Sequence, residues 1–386
     1  MKTTSTLLKY TLIFLFSLVT LGCTKDDSSE VETVGQEEQQ EENPPVDTDL
    51  SIAGTIRDIS SSALVEEMGV GWNLGNSLDV ESRDKTAWGN PLPSQAIIDR
   101  VYAMGFRTLR IPITWSYNMQ STAPFTIENS YLTTVQKTVN YGISKGMHVI
   151  IDVHHDNSWI RPTQTDATAV KARLGSLWTQ VANRFKTYGD KLIFETLNEN
   201  RLLNSPEEWT GGTEEGRAVL NEYHKTALDA IRATGGNNAN RHIMISTYAA
   251  STLPVAMDGL VIPNNDERVI ISLHTYFPWQ FTGEEGGVST WGTDEEKAAL
   301  EAEFDYIRDK WIIQEQRPVI LGEWGARDRN NLNVREDYFQ FYVEKSLERG
   351  LLPIVWDDGG NFRILNRANL QWHFPTLAET IIEAAN

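Results

Sequence analysis

Short apolar runs of strand length alternate with amphipathic helical segments along most of this chain of 386 residues. Several runs are almost continuous in valine, isoleucine and leucine, which is typical of parallel strands covered on both faces. This alternation limits the fold more than any other feature, because strands that alternate with helices favour a parallel sheet. The eight predicted strands are residues 70–74, 108–111, 148–153, 192–195, 243–246, 269–273, 319–321 and 353–355.

Helical segments connect these strands, and glycines follow five of them, where a left-handed C-cap is favoured. We therefore predict an α/β protein in which residues 51–386 form a single domain with the (β/α)8 TIM-barrel fold. An open doubly wound sheet is the alternative, but residues 73–76, after the first strand, do not form a glycine-rich phosphate loop. The predicted helices are residues 94–104, 131–145, 169–188, 214–234, 294–312 and 334–349, and the glycines are Gly105, Gly146, Gly189, Gly235 and Gly350.

Residues 1–22 have the pattern of an export signal. Lys2 and Lys9 precede an apolar stretch that is too short to span a membrane, and Cys23 follows it. The pattern resembles a bacterial lipoprotein signal, in which Cys23 is lipidated and becomes the first mature residue. Residues 25–27, Lys-Asp-Asp, resemble the signal that directs some lipoproteins to the cell surface. We expect an outer-membrane or cell-surface lipoprotein that touches the membrane only through the lipid at Cys23. The alternative is a plain signal peptide and a secreted protein.

Residues 23–50 contain ten Asp and Glu residues, a single lysine and a Pro-Pro pair. Such a segment cannot bury enough apolar surface to offset its ordering entropy, so we expect a disordered acidic tether. The formal charge of the whole chain is −19, which argues against a nucleic-acid partner because phosphate contacts need clustered Lys and Arg. Cys23 is the only cysteine, so a disulfide framework and a thiolate metal site are excluded. Nothing indicates a partner subunit, and we expect a monomer.

Polar residues follow nearly all of the predicted strands, at the end where a barrel of this kind forms its active site. Two of them are glutamates, Glu199 and Glu323, and each comes after a buried apolar run. Two such carboxylates are what glycosidic bond cleavage requires. One donates a proton to the leaving oxygen, and the other attacks or stabilises the sugar cation. The other polar residues are Asn73, Asn76, Arg110, His154, His155, Asp156, Asn198, His274, Tyr276 and Asp357.

Six short motifs occur in order along the chain. They are Gly-Trp-Asn-Leu-Gly-Asn at 71–76, Arg-Ile-Pro at 110–112, Asp-Val-His-His at 152–155, Leu-Asn-Glu at 197–199, His-Thr-Tyr at 274–276 and Gly-Glu-Trp at 322–324. Together they resemble glycoside hydrolase family 5, the cellulase family of retaining (β/α)8 enzymes. Trp-Gly-Asn-Pro at 88–91, Phe-Glu-Thr at 194–196 and Trp-Asp at 356–357 resemble its subfamily of broad endoglucanases and xyloglucanases. In one departure, Asn200 replaces the proline that usually shapes the turn after the first glutamate.

The resemblance implies roles for the residues at the strand ends and makes residues 51–386 the catalytic domain. Glu199 is the general acid/base, and we expect apolar walls and the second carboxylate to raise its pKa. Glu323 is the nucleophile, which Arg110 and the hydroxyl of Tyr276 keep ionised. Asn198 binds the sugar 2-hydroxyl, a contact that strengthens in the transition state.

Three histidines complete the implied site. His154 and His155 are neighbours, so in an extended strand they point in opposite directions, and at most one lines the cleft directly. By resemblance, one contacts the cleaved sugar and the other supports it, while His274 assists the proton transfer of Glu199. A metal hydrolase that uses these histidines with Asp156 is an alternative, but neighbours on a strand do not converge, and the chain has no His-x-His or His-Glu-x-x-His motif. We therefore expect neither a metal nor another cofactor.

Aromatic and amide side chains are the predicted substrate contacts. Sugars present flat apolar faces that stack on aromatic rings, and the chain has 12 tryptophans. Trp356, after the eighth strand, is the predicted floor of the subsite for the cleaved sugar. Long loops at residues 202–212 and 281–293 are expected to shape substrate access. The other predicted contacts are Asn73, Asn76, Trp88, Trp159, Trp279 and Trp291.

The sequence thus predicts a retaining endo-β-1,4-glucanase that acts on cellulose, mixed-linkage β-glucan or xyloglucan by double displacement. In such an enzyme the two carboxyl groups lie roughly 5–5.5 Å apart. A β-mannanase or a strictly xyloglucan-specific hydrolase on the same scaffold is the first alternative. A glycan-binding surface lipoprotein without catalysis is the second. The sequence leaves open the preferred polymer, the number of subsites and the choice between endo and exo action.

Overall fold

Eight parallel strands form a closed barrel in the computed structural model, which describes residues 50–386. Each strand pairs with the next, and the first pairs with the last, so that Trp72 lies between Leu109 and Val355. The predicted (β/α)8 barrel is confirmed, and the doubly wound alternative is wrong. The barrel strands are β1 Gly71–Asn73, β2 Thr108–Ile111, β3 His148–Ile151, β4 Leu192–Glu195, β5 Ile243–Ser246, β6 Val269–His274, β7 Val319–Trp324 and β8 Leu351–Val355.

Helices connect the strands, and all six predicted helices are present with shifted ends. Many begin after a serine or threonine whose side chain accepts a backbone N–H of the first turn, as Thr213 does before α5. A π-helical segment, Arg308–Gln314, continues α8, and a short hairpin of β9 (Leu365–Asn366) and β10 (Gln371–Trp372) follows β8. The helices are α1 Ser61–Glu67, α2 Gln95–Met104, α3 Asn129–Ser144, α4 Gln164–Arg184, α5 Glu214–Ala233, α6 Pro254–Asp258, α7 Trp279–Thr282, α8 Asp294–Ile307, α9 Leu332–Leu347 and α10 Pro375–Ala384.

Two hydrophobic cores follow from the alternation of side chains along each strand. In β3, Val149 and Ile151 belong to the large core between the barrel and the helices, whereas Ile150 belongs to a smaller core inside the barrel. Leu64 of α1 packs with this inner core. Apolar side chains fill the barrel interior near the start of the strands, and the buried side chains of Arg110 and Glu195 lie towards the opposite, C-terminal end.

Four of the five glycines expected at helix ends have the left-handed backbone that favours glycine. The φ angles are 130° at Gly105, 79° at Gly146, 67° at Gly235 and 72° at Gly350. The prediction is wrong for Gly189, whose φ is not positive. A Cβ at Gly189 would lie 2.8 Å from the carbonyl oxygen of Thr55, so the close approach of another backbone segment explains this glycine.

Register irregularities occur in the barrel at two of the predicted site residues. β6 and β7 shift register after Leu273, so that His274 pairs with Glu323, and β7 and β8 shift between Leu321 and Trp324. A local irregularity of this kind redirects a side chain without ending the sheet. Glu323 is therefore inside β7, whereas we predicted a strand that ends before it.

The predicted export signal, Cys23 and the acidic tether up to residue 49 lie outside the described residues. Residues 50–386 all belong to one compact unit. Within these residues, no helix combines the length and the apolar character that crossing a membrane requires.

Candidate active site

Arg110 is the centre of a buried polar network at the C-terminal end of the barrel. Its side chain extends from β2, has no solvent exposure and donates a hydrogen bond to each of five residues. A planar guanidinium suits this role because its donors point in fixed, divergent directions. The acceptors are Glu195 Oε2 at 2.7 Å, Glu323 Oε1 at 2.8 Å, Asp152 Oδ2 at 2.9 Å, Asn73 Oδ1 at 3.1 Å and Asn198 Oδ1 at 2.6 Å.

The sequence analysis gave no role to two carboxylates of this network, Asp152 and Glu195. Each is fully buried, and each has a second donor besides Arg110. Asp152 Oδ1 accepts the backbone N–H of Ile113 at 2.8 Å, and Glu195 Oε1 accepts the hydroxyl of Ser272 at 2.6 Å. The signal for them was available, since an acid at the end of a valine- and isoleucine-rich strand must have a buried partner.

Both carboxylate oxygens of Glu323 are held by donors. Oε1 accepts from Arg110 at 2.8 Å, and Oε2 accepts from the hydroxyl of Tyr276 at 3.1 Å. Burial, with the charges of Glu323 and Glu199, raises the pKa of Tyr276 well above its usual value, so the hydroxyl stays a donor. The partners of Glu323 that the resemblance implies are therefore in place.

Glu199 faces Glu323 across a small gap at the mouth of the barrel. Glu199 Oε1 lies 2.8 Å from Nδ1 of His274, and the same nitrogen lies 3.7 Å from Glu323 Oε1. One oxygen from each carboxylate and one nitrogen of His274 all lie within 4.8 Å of one another. The two glutamate side chains are only 19% and 7% exposed. The structure thus brings together the two carboxylates that the sequence places 124 positions apart, from 199 to 323.

The pKa values of these groups differ from our prediction. Burial raises the pKa of Glu323 despite the positive charges of His274 and Arg110. Burial also opposes the ionisation of Glu199, but the hydrogen bond and charge of His274, together with Arg201, lower its pKa to about 2. The pKa of His274 is raised, because the two carboxylates outweigh the effect of burial. The expected raised pKa of Glu199 is therefore wrong for this arrangement, in which His274 carries the proton and Glu199 accepts its hydrogen bond.

His154 and His155 lie on the same side of the site, with their rings 4.4 Å apart. We expected them to diverge, but β3 ends at Ile151, so the alternation of a strand does not apply to them. Nδ1 of His154 lies 2.7 Å from Asp152 Oδ2, and burial lowers the pKa of this histidine well below its usual value. His155 is the more exposed of the two and packs against the ring of Trp88 at 5.7 Å.

Asn73 and Asn76, both predicted substrate contacts, have different positions. Asn73 is fully buried and donates to the carbonyl oxygens of Gly322, Ile354 and Val355, while its own oxygen accepts from Arg110. The prediction for Asn73 is wrong, because its amide is used to join β1 to β7 and β8. The half-buried Asn76 has a left-handed φ of 50° and holds the loop after β1 through its backbone.

Three of the predicted tryptophans are placed as potential sugar contacts. Trp356 is only 9% exposed, but its ring is parallel to that of His154 at 5.9 Å, which puts it beside the network around Glu323. Trp88 and Trp279 are 40% and 57% exposed, so part of each ring is accessible to a ligand.

The prediction is wrong for Trp291 and only partly met for Trp159. Trp291 is 9% exposed and packs against Tyr338 at 5.0 Å and Phe341 at 5.4 Å, because the loop before α8 folds over the apolar face of α9. Trp159 is half-buried, and the guanidinium of Arg173 lies 4.2 Å from its ring centroid, so one of its faces is already covered.

A loop aromatic that the sequence analysis did not select, Trp209, is 58% exposed. It belongs to the connection between β4 and α5, directly after the segment that carries Glu199. The guanidinium of Arg201 lies 4.1 Å from its ring centroid. Trp209 lies in the long loop at 202–212 that we expected to shape substrate access. The position of this loop could therefore have identified Trp209 as a candidate substrate contact.

Asn200, in place of the usual proline, anchors the turn after Glu199 by side-chain hydrogen bonds. Its amide nitrogen donates to Asn157 Oδ1 at 2.9 Å and to the carbonyl oxygen of Ile160 at 2.8 Å. Its backbone carbonyl oxygen accepts the N–H of Ala249. The residue is 2% exposed. The buried asparagine side chain thus fixes this turn by two hydrogen bonds, where the family pattern has a rigid ring.

We expect Asn200→Ala to lower both stability and activity. The substitution leaves two buried acceptors without a donor, which typically costs about 1–3 kcal/mol. Denaturant unfolding measures the loss of stability. The value of kcat on β-glucan measures the loss of activity that we expect when the turn no longer holds Glu199 in place. The matched control is Asn183→Ala on α4, which removes a half-buried asparagine amide and should change stability by less than about 0.5 kcal/mol. Equal behaviour of the two variants would contradict this account of the turn.

The site contains two groups of three residues that could hold a metal ion, and no other such group exists within residues 50–386. One is Glu199, His274 and Glu323, and the other is Asp79 with His154 and His155. Asp156, which the metal alternative requires, instead accepts the backbone N–H groups of residues 115 and 116. The expected independence from metal stays a prediction, which activity in a chelator would test.

The comparisons with known proteins agree with this geometry. The sequence model of the cellulase family, glycosyl hydrolase family 5, matches residues 70–361. The chain belongs to glycoside hydrolase family 5. The family 5 resemblance predicted from the sequence is therefore confirmed.

Named relatives of this family 5 protein are endoglucanases. Endoglucanase B of Clostridium cellulovorans is 44% identical over 340 residues, which cover 86% of this chain and 77% of that protein. Cellulase/esterase CelE of Acetivibrio thermocellus is 42% identical over 337 residues, and the match spans 86% of this chain but only 41% of that protein.

Two solved structures have closely similar folds. ZgEngAGH5_4 in complex with a cellotriose is 50% identical, with a TM-score of 0.84 over 85% of this chain and 100% of that one. A GH5-4 broad specificity endoglucanase from Clostridium acetobutylicum is 45% identical, with a TM-score of 0.82 over 84% of this chain and 100% of that one. The likeness to the subfamily of broad endoglucanases is thus confirmed.

Proposed function

We propose that this protein is a retaining endo-β-1,4-glucanase in which Glu323 is the nucleophile and Glu199 is the general acid/base. The family and the endoglucanases among its relatives bear out the enzyme class. The observation that carries the mechanism is the distance between the carboxylates, whose nearest oxygens lie within 4.8 Å. Retaining enzymes need a short separation for direct attack, whereas inverting enzymes leave room for a water molecule.

In the first step, Glu323 attacks the anomeric carbon of the sugar and forms a covalent glycosyl-enzyme as the glycosidic bond breaks. Arg110 and Tyr276 hold one oxygen of Glu323 each, so the attacking carboxylate has a fixed orientation. Fixed donors cost no reorganisation during the reaction. Asn198 Oδ1 accepts from Arg110, and its amide nitrogen, which lies 3.5 Å from Nε2 of His154, has a second N–H to donate to the sugar 2-hydroxyl.

The proton for the leaving group comes from the pair formed by His274 and Glu199. Since His274 Nδ1 lies 2.8 Å from Glu199, one proton can move between them without a change in total charge. A bound sugar excludes water from this gap, which disfavours the separated charges and favours neutral histidine with protonated Glu199. Glu199 then protonates the leaving oxygen. In the second step Glu199 acts as a base and takes a proton from a water molecule. This water attacks the glycosyl-enzyme and releases the sugar with retention of configuration.

The substrate class is a β-1,4-linked glucan, in cellulose, mixed-linkage β-glucan or xyloglucan. Among similar structures, ZgEngAGH5_4 holds a cellotriose, and the Clostridium acetobutylicum protein is named for broad specificity. Exposed Trp88, Trp209 and Trp279 offer ring faces for several sugars. Such platforms suit a chain that extends beyond the cleaved bond on both sides, hence endo action.

Activity on a panel of polymers tests this proposal. We expect reducing ends from carboxymethylcellulose, barley β-glucan and xyloglucan, with a fall in viscosity early in the reaction because cleavage is internal. Proton NMR of the first products should show the β anomer. Preference for mannan would favour the β-mannanase alternative, and tight oligosaccharide binding without any hydrolysis would favour a non-catalytic glycan-binding protein. Release of the α anomer first would contradict the retaining mechanism.

We also propose that Cys23 anchors the enzyme to the outer membrane or cell surface through a lipid. The support is the sequence pattern of residues 1–23 alone. Expression of the full chain in a bacterium with lipoprotein processing should place activity in the membrane fraction, and Cys23→Ser should release it. Equal fractionation of the two proteins would contradict the anchor and favour plain secretion.

A further inference from the structure

Arg201 joins the turn after Glu199 to the loop that carries Trp209. Its Nη1 donates to the backbone carbonyl oxygen of Glu199 at 2.8 Å and lies 3.6 Å from the carboxylate oxygen Oε2 of the same residue. Its side chain is only 16% exposed, so water screens this charge less than at an open surface. The face of the guanidinium covers the ring of Trp209.

Glu208 forms an ion pair with Arg201 through a different nitrogen of the guanidinium from the one that contacts Glu199. Its Oε1 accepts from Arg201 Nε at 3.1 Å, and its Oε2 accepts the backbone N–H of Asn204 at 2.7 Å. The loop at 202–212 is also tied to the barrel, since the N–H of Leu202 donates to the hydroxyl of Tyr248 at 2.8 Å. Arg201 therefore lies between two carboxylates, one catalytic and one in the loop, and its charge is divided between them.

We propose that Arg201 is a positioning residue that sets the pH range in which Glu199 holds its catalytic proton, and that Glu208 limits its effect. This inference rests on the proposed role of Glu199 and concerns the pH dependence of that same site. The positive charge of Arg201 favours the carboxylate form of Glu199, while the negative charge of Glu208 opposes this influence. The two residues thus act on the acid/base in opposite directions.

Other charged and titratable groups also face Glu199, and they belong to the strands around it. They stay the same in variants of Arg201 and Glu208, so a difference between variants reports on this pair alone. The proton is shared with His274, so the measured pKa belongs to the pair of groups. The groups are His274 at the end of β6, Tyr276 after it, Glu323 in β7, His154 and His155 after β3 and, through Glu323, Arg110 in β2.

The alkaline limb of the kcat/KM profile on barley β-glucan is the test, because it reports the loss of the proton needed for the first step. Arg201→Met removes a positive charge near Glu199, so the acid holds its proton longer and the limb moves to higher pH. Glu208→Gln leaves the charge of Arg201 unopposed, and the limb moves to lower pH. For unit charges at this range we expect shifts of about 0.5–1 pH unit. Arg201→Lys keeps the charge and should restore most of the wild-type limb.

A purely structural role for Arg201 would lower activity in both variants but would not move their limbs in opposite directions. Unmoved limbs, or shifts with the same sign, overturn the inference. If Arg201→Met does not fold, Glu208→Gln decides alone, and an unshifted limb in that variant overturns it. Failure of the proposed function is a different result: the wild type would not hydrolyse β-glucan, or Glu199→Gln would retain full activity.

Discussion

Replacing Glu323 by glutamine is expected to abolish hydrolysis of β-glucan, with kcat lowered by about 10⁴-fold or more, as for other residues that act directly on the reacting bond. The amide of glutamine has the shape of the carboxylate but cannot attack the anomeric carbon. Because Arg110 retains Asp152 and Glu195 as partners, we expect the variant to remain folded. Steady-state rates on polymer and on an aryl cellobioside, with circular dichroism as a check of folding, measure the effect.

Glu199→Gln should give a different pattern that separates the two roles. On polymer, the loss of the general acid lowers kcat by about 10²–10⁴-fold. On 2,4-dinitrophenyl cellobioside the leaving group needs no proton, so the first step should stay fast and the glycosyl-enzyme should accumulate. Azide should then restore turnover, because it attacks the intermediate without the help of a base.

A matched control comes from Glu284, an exposed glutamate in the rim loop between α7 and α8. Glu284→Gln should leave both rates unchanged. If azide restored the turnover of Glu323→Gln and not that of Glu199→Gln, Glu323 would be the general acid/base and Glu199 the nucleophile. Near-normal polymer hydrolysis by either active-site variant would remove that residue from the mechanism.

Arg110→Met should be the most destabilising single substitution in the site. It leaves the carboxylates of Asp152, Glu195 and Glu323 together without their shared cation. Removing one partner of a buried ion pair costs about 3–5 kcal/mol, because an uncompensated charge remains buried. We expect the free energy of unfolding, measured in urea, to fall by at least this amount.

The loss of stability caused by Arg110→Met should depend on pH. The pKa of Asp152 decides whether this loss is larger at low or at high pH. Burial already raises the pKa of Asp152 to about 6 despite the opposing charge of Arg110. Without Arg110 this pKa rises further above that of the unfolded chain. A group whose pKa is raised by folding contributes stability at low pH and loses that contribution as pH rises. The variant should therefore lose less stability at pH 5 than at pH 8.

The control for charge removal is Arg308→Met. Arg308 forms exposed ion pairs with Asp305 and Asp309, which typically contribute less than about 1 kcal/mol each. Equal losses in the two arginine variants, or a larger loss for Arg110→Met at low pH, would contradict the view of Arg110 as the required counter-ion.

The barrel and the proximity of Glu199 and Glu323 were predictable because both depend on local patterns. Apolar runs such as β4 and β7 define strands, and parallel strands of a barrel end at one rim. Glu199 and Glu323 therefore had to lie near each other, whatever the details of packing. Arg110 and Tyr276 were assigned through the family resemblance, and the structure places both on Glu323.

The errors arose where a side chain depends on tertiary packing. Asn73 has the sequence position of a substrate contact, but its amide nitrogen donates hydrogen bonds to three backbone carbonyl oxygens of neighbouring strands. Trp291 lies in a rim loop, yet the apolar face of α9 covers it. No periodic pattern distinguishes these residues from Trp88 or Trp209, which remain exposed.

The predicted proton location also failed for a tertiary reason. We expected a raised pKa for Glu199 because burial disfavours a carboxylate. His274 comes 75 positions later in the chain, and burial is outweighed only by its hydrogen bond and charge acting together with the charges of Arg201 and His154. A distance of 2.8 Å between two such groups is a property of the folded barrel, which the linear sequence does not encode in any local motif.

Covalent labelling of the nucleophile tests the central claim most directly. A 2-deoxy-2-fluoro-cellobiosyl fluoride reacts with a retaining enzyme and leaves its sugar on the nucleophile, because the fluorine slows the second step. Tryptic peptide mapping by mass spectrometry should find the added mass in residues 311–327, on Glu323. The sugar on Glu199 in residues 192–201, or no covalent adduct despite turnover of β-glucan, would contradict the account.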